Sequence, residues 1–138
     1  MKSGLHIEQI PYQITWPIRH KVMWPDHPID FVMLPEDESG QHFGLFTEGK
    51  LVSIVSAFVR EDEAQFRKFA TVNEYQGKGY GTRLLTYLMA DLESQQLSRI
   101  WCNARADKTS FYERFELEIT DQTYVKGGIN FVIMEKRL

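Results

Sequence analysis

Gln76-Gly77-Lys78-Gly79-Tyr80-Gly81-Thr82 sets three glycines at alternate positions, between the apolar-rich run Phe66 to Val72 and a strongly amphipathic segment. Glycine leaves the backbone N–H groups of such a turn uncovered, so several can point at one external group. A helix behind the turn adds the unpaired N–H groups of its first turn and the positive end of its dipole. The chemistry this suits is the holding of a phosphate or pyrophosphate. Spacing narrows the choice. A P-loop needs a Lys-Ser/Thr pair after its last glycine, and none stands here; a dinucleotide fingerprint would need its third glycine one residue later than Gly81.

A second group of reactive residues lies downstream, Asn103-Ala104-Arg105 leading to Ser110-Phe111-Tyr112-Glu113-Arg114. A tyrosine of pKa near 10 can give its proton to a basic leaving group, which gives Tyr112 a use as general acid. Packing beside Phe111 and Phe115 is its other use. Cys102 is the one cysteine, read as a small buried hydrophobe because no base partner can be assigned to it.

The elements that must position these groups follow from periodicity. Leu5 to Ile10 reads as a first strand stopped by Pro11, and Thr15 as the cap of a short helix with Pro17 in its first turn and Pro25 closing it. Trp16, Arg19, His20 and Trp24 on that helix are candidate pocket residues, while helical spacing alone would make the tryptophans core. Asp26 to Gln41 reads as a loop with one apolar patch, Phe31 to Leu34. A hairpin follows, His42 to Thr47 and Leu51 to Val59 around Glu48-Gly49-Lys50. Its second arm is almost continuously apolar, as a central strand covered on both faces must be. Ala64 to Val72 is the strand before the glycine loop. Behind the loop, Leu84, Leu85, Leu88, Met89 and Leu92 line one helical face opposite Arg83, Asp91 and Glu93. Then come a strand over Arg99 to Asn103, a helix over about Asp107 to Phe115, and a terminal hairpin of Tyr124-Val125 and Ile129 to Met134 around Gly127-Gly128. The expected class is α/β (α+β), a mixed central sheet of about six to seven strands with helices on both faces. No repeat or linker interrupts residues 1–138, so one domain is expected.

Gln76, Gly79 and Gly81 fill Q/R-x-x-G-x-G/A, which resembles the acyl-CoA pyrophosphate loop of the GNAT superfamily of N-acetyltransferases. The downstream segment is similar to that family's A-R-x-x-A-x-x-F-Y-E-K-x-G-F, and the element order from about Phe66 to Phe115 is similar too. The resemblance implies an N-acetyltransferase that passes an acetyl group from acetyl-CoA to a primary amine by direct attack. It implies that Ala70, Thr71 and Val72 offer strand backbone to the pantetheine arm. Gly77, Lys78, Gly79, Tyr80, Gly81 and Thr82 would hold the pyrophosphate, with Gln76 and Lys78 at the rim and Asn103 across the cleft. Lys78 could equally be a solvated lysine, and Asn103 could equally satisfy backbone at a strand end. Tyr112 is the implied catalytic acid. A catalytically silent acyl-CoA-binding module is the alternative from another class. Two departures stand out. Phe115-Glu116-Leu117 replaces the family's Gly-Phe after the tyrosine, so the helix must end without glycine. No acidic residue falls within Ala64 to Val72, and Glu61, Asp62 and Glu63 at its leading turn read as a solvated charge run. The base that must deprotonate the acceptor, at about 4–5 kcal/mol for a lysine-like amine at pH 7, is unassigned.

Composition sets outer bounds. Hydrophobic residues make up 43% and charged residues 25% of 138 residues, ordinary globular values. The formal net charge of −3 gives no basic footprint for nucleic acid. A lone cysteine and no apolar run of 18 residues lead to the expectation of a cytoplasmic protein without disulfide, signal or membrane span. No metal is expected. The partners expected are a small-molecule or peptide amine and, through the C-terminal strands, a second copy in a homodimer.

Overall fold

The computed structural model describes residues 4–138. Seven strands form one sheet: β1 Leu5–Gln9, β2 Gln41–Thr47, β3 Lys50–Arg60, β4 Glu63–Thr71, β5 Arg99–Arg105, β6 Glu118–Lys126 and β7 Ile129–Arg137. Their spatial order is β1-β2-β3-β4-β5-β7-β6. Three α-helices accompany them: α1 Tyr12–Ile18, α2 Tyr80–Glu93 and α3 Thr109–Glu113. No helix among the described residues is long and apolar enough to cross a membrane. The sheet is mixed, with helices on both faces, as the sequence predicts.

The two faces have separate cores. Leu84, Leu85, Leu88, Met89 and Leu92 of α2 are buried with Phe43, Leu45, Val55, Ala57, Phe66 and Ile100 on one face. Ile18 at the end of α1 is buried with Ile54, Ala70 and Val72 on the other. Val52 to Ala57 are buried without interruption, because β3 is covered from both sides.

One irregularity in β4 matters for everything that follows. Ser56 of β3 faces Arg67, and Ile54 faces Ala70, so a bulge lies between them. Lys68, inside it, has φ +57°. An extra residue in one strand reverses which side chains face which way. Ala64 and Phe66 therefore join the α2 core before the bulge, while Ala70 and Val72 join the α1 core after it.

Several boundaries differ from the sequence reading for local reasons. Pro11, not Thr15, precedes α1, and Thr15 is buried inside the helix with its hydroxyl donating to the Tyr12 carbonyl at 2.7 Å. Asp26 to Gln41 holds two 3-10 turns, Ile29–Val32 and Asp37–Ser39, and Val32 at the end of the first is fully buried. The helix expected over about Asp107 to Phe115 is only the five residues of α3, preceded by a 3-10 turn at Ala106–Lys108. Its end answers the missing glycine. Glu116 itself takes the left-handed conformation, φ +65°, and its carboxylate is held by Lys136 Nζ at 2.8 Å. Strand β6 begins at Glu118, earlier than its weak alternation suggests, with a bulge between Ile119 and Thr123.

Candidate functional site

Strands β4 and β5 are the one parallel pair in the sheet, and they pair only over Glu63–Gln65 against Arg99–Trp101. Beyond that register they part, and β5 stays with β7 while β4 stays with β3. The edge of β4 from Phe66 onward thus has no strand partner on its β5 side. The Val72 amide donates to the Val52 carbonyl at 2.8 Å, so Val72 faces β3. Strand alternation then turns Phe69 and Thr71 toward the open edge. Ala70 and Val72 face the other way, with side chains under α1. The sequence reading named Ala70, Thr71 and Val72; only Thr71 lies on the open edge, and Phe69, unnamed there, joins it.

The glycine loop closes the top of this opening. Gly77 and Gly79 have φ +77° and +83°, with open space where a Cβ would stand. Gly79 immediately precedes α2, and no side chain caps that helix. The first helical bond of this turn runs from the Arg83 amide to the Gly79 carbonyl, which leaves the amides of Tyr80, Gly81 and Thr82 for an outside acceptor. At Gly81 the reason for glycine is space, since a Cβ would come 3.1 Å from Cζ of Phe69. Gln76 serves the loop itself. Its Nε2 donates to the Thr71 carbonyl at 2.9 Å and to Asn73 Oδ1 at 3.1 Å, tying loop to strand.

A cavity of about 480 Å³ results, lined by Phe69, Thr71, Gln76, Gly77, Gly79, Tyr80, Gly81, Thr82, Lys108 and Phe111 with Tyr75. Lys78 and Asn103 do not line it; Asn103 is exposed on β5 opposite Ile133. Lys108 and Phe111 are contributions the sequence reading missed. Their position just ahead of Tyr112 in the downstream motif was the available signal.

Tyr112 lies deeper, where the strands part. Its ring is 5.9 Å from that of Phe66, the first β4 residue past the paired register, and 5.2 Å from Phe111. Burial, aided by the nearby Cys102 thiol, pushes its phenol above the ordinary tyrosine range. Burial pushes the Cys102 thiol itself up to about 12. A group at this depth is therefore a proton holder, and a thiolate formed here would be a far stronger base than one in water.

The opposite face of β4 carries a polar cluster. Arg19 and Asp37, 0% and 1% exposed, form a two-pronged pair: Nη1 donates to Oδ2 at 2.8 Å and Nη2 to Oδ1 at 3.0 Å. Arg19 Nη2 also donates to Ser56 Oγ at 3.0 Å. His42 lies between Ser56 and Asp37, with Nδ1 2.7 Å from Ser56 Oγ and Nε2 2.8 Å from the Asp37 carbonyl. The Asp37 carbonyl requires a proton on Nε2, and burial lowers the His42 pKa, which favours the neutral ring whose Nδ1 accepts from the Ser56 hydroxyl. Burial would raise the Asp37 carboxyl, but hydrogen bonds from Arg19, Trp16 and the Leu34 amide outweigh it and hold it below its ordinary value. This closed ring bolts the α1–β2 connection to the sheet. It also shows that Trp16 and Arg19 are structural, since the Trp16 indole donates to Asp37 at 3.0 Å.

Comparison with known proteins decides the family. The family model described as an acetyltransferase (GNAT) domain matches residues 27–138. The chain belongs to the GNAT acetyltransferases. An uncharacterized N-acetyltransferase, YitI, of Bacillus subtilis is 28% identical over 144 residues, covering 97% of each chain. The fold is shared with the ribosomal-protein-S18-alanine N-acetyltransferase of Escherichia coli at a TM-score of 0.80, with 20% identity and coverage of 96% of this chain and 93% of that one. It is shared also with a GNAT acetyltransferase of Elizabethkingia anophelis solved with acetyl-CoA bound, at a TM-score of 0.73 and 13% identity over 99% and 100% of the two chains. As a GNAT protein the chain is an acyltransferase by family, on a fold that usually binds acetyl-CoA. Among the described residues no group of His, Cys, Asp and Glu is placed to hold a metal.

Proposed function

We propose that this GNAT protein transfers an acetyl group from acetyl-CoA to a primary amine by direct attack in a ternary complex. The observation that carries the reading is the parting of β4 and β5 directly beneath the glycine loop. Around that opening lie an unpaired strand edge and three free helix amides, with the partly buried Tyr112 packed beside Phe66 and Phe111 where the strands part. Acetyl-CoA supplies the activated acyl group as a thioester. The amides of Tyr80, Gly81 and Thr82 would hold its pyrophosphate, and the open-edge backbone of Phe69 and Thr71 its pantetheine arm. Holding both reactants in one geometry supplies much of the rate, as it does for any two-substrate reaction.

In the transfer, the N–C bond forms as the thioester C–S bond breaks. The acceptor ammonium gives one proton to solvent before attack and a second after it. Tyr112 protonates the departing thiolate and recovers a proton from solvent, so one proton is released per turnover. Its raised pKa keeps the Tyr112 phenol protonated until a leaving thiolate forms beside it. The test is thiol release from acetyl-CoA with added amines. Tyr112→Phe should lower kcat by about 10–100-fold with the acetyl-CoA Kd unchanged, and an unaltered kcat would remove Tyr112 from the chemistry. Stabilisation by acetyl-CoA with no amine acylated would favour the silent binding module instead.

A further inference from the structure

Among the described residues, one charged side chain lines the cavity beneath the glycine loop, that of Lys108. The loop follows β4 and Lys108 follows β5, so the two stand on opposite walls of the gap that opens where those strands part. The walls are close. Phe69 of β4 and Phe111, three residues after Lys108, stack with ring centroids 6.0 Å apart. A phosphate on the amides of Tyr80, Gly81 and Thr82 is therefore within reach of the flexible four-carbon stem of a lysine on the far wall. The Lys108 ammonium is also uncommitted. Among the described residues no carboxylate lies at ion-pair distance from it, and the adjacent Asp107 is paired with Arg105 at 3.7 Å. The charge of this lining thus runs against that of the whole chain, which is −3.

A second cation repeats the pattern. Arg114 lies over the Phe111 ring, 5.5 Å from its centroid, and it too has no carboxylate at ion-pair distance among the described residues. It borders a neighbouring cavity of about 510 Å³ that meets the first at Thr82, a residue of both linings. The two carboxylates of that cavity, Glu93 and Glu116, are both taken up by Lys136, at 2.9 and 2.8 Å. Lys108 is this chain's own feature, because it stands where the family pattern A-R-x-x-A-x-x-F-Y-E-K has its second alanine. We propose that Lys108, backed by Arg114, is a second phosphate-binding element that grips the donor from the wall facing the glycine loop. Acetyl-CoA offers two groups of this chemistry, its pyrophosphate and the 3′-phosphate of its ribose. The loop amides supply dipoles and no full charge, whereas Lys108 supplies a movable point charge. The inference rests on the acetyl-CoA binding proposed above and adds to it a side chain that sets donor affinity and its dependence on salt.

Calorimetric binding of acetyl-CoA and of acetyl-3′-dephospho-CoA tests this without turnover. At low salt Lys108→Ala should raise the acetyl-CoA Kd about tenfold and Arg114→Ala about threefold, while Lys108→Arg should keep most of the affinity. Added NaCl should weaken binding less steeply in Lys108→Ala than in the wild type. An equal loss with both donors assigns the contact to the pyrophosphate, and a loss confined to acetyl-CoA assigns it to the 3′-phosphate. Arg137, exposed at the opposite end of the β5–β7 register from Lys108, is the control, and Arg137→Ala should leave both Kd values unchanged. An acetyl-CoA Kd that stays within about twofold of wild type in Lys108→Ala, or falls off equally in Arg137→Ala, overturns the proposal. Thiol release alongside such an indifferent Kd would leave the acetyl transfer standing. Binding that depends on Lys108 with no amine acylated would instead overturn the transfer and leave the phosphate grip in place.

Discussion

The two faces of β4 are built by opposite means. On the glycine-loop side, seven consecutive residues, Gln76 to Thr82, supply the turn, the free amides and the start of α2. On the α1 side, Arg19, Asp37, His42 and Ser56 come from the turn that follows α1, a 3-10 turn and two strands, and none is adjacent to another in sequence. The first site can be arranged by local backbone geometry alone. The second exists only after the chain has folded around it, and its order depends on buried polar groups satisfying one another. The contrast teaches where each region is vulnerable: the loop through the conformation of single residues, the α1 face through stability.

The sharpest way to break the contrast is Arg19→Ala. It leaves Asp37 charged and 1% exposed, and should cost about 3–5 kcal/mol of folding stability, read as a fall in the urea midpoint. Acetyl-CoA affinity of the remaining folded protein should be unchanged; if stability holds instead, the ring is not what secures the α1–β2 connection. Gly79→Val attacks the other face. A β-branched residue at φ +83° is strained, so the loop should deform and the acetyl-CoA Kd rise about 10–100-fold with a stability loss of only about 1–3 kcal/mol. Retained affinity would mean that the amides do not depend on this backbone.

The smallest effect is in pH. Burial lowers the folded-state pKa of His42, so the unfolded chain binds the proton more readily. Stability contributed by neutral His42 is complete above its ordinary pKa of about 6.5 and declines as pH falls below that value toward the folded pKa. Thermal unfolding between pH 7.5 and 5.5 should show this decline, and His42→Gln should flatten it. Asp37, whose folded pKa is lowered, adds a further loss only below about pH 4. An identical slope in wild type and variant would assign the acid sensitivity elsewhere.

Much of the fold could be read in advance because it is written in local pattern. The apolar face of α2, the uninterrupted apolar run of β3 and the glycine turn each lie within about a dozen consecutive residues. Misreadings cluster where local pattern gives way to tertiary packing. Thr15 has the chemistry of a cap yet lies buried inside α1, its hydroxyl bonded to Tyr12. Gln76, read as a rim residue, lines the cavity, and the tie it also makes to Thr71 could not be read from spacing. Ala70 and Val72 follow from the resemblance alone, and the Lys68 bulge, which reverses the strand's faces and brings Phe69 to the open edge, leaves no mark in composition. Trp16 and Arg19 resemble pocket residues until Asp37 is found beside them.

From the sequence alone came the glycine loop's capacity for pyrophosphate, the exclusion of P-loop and dinucleotide chemistry, and the likeness to an acyl-CoA loop. These depend on spacing along the chain, and helix and turn geometry carries spacing directly into three dimensions. Only the tertiary structure decided that β4 and β5 part beyond Gln65 and Trp101, which backbone groups face the gap, and that Arg19, Asp37, His42 and Ser56 close into one buried ring. Those outcomes depend on strand register and on charges brought together from distant segments, which are settled by the packing of the whole sheet.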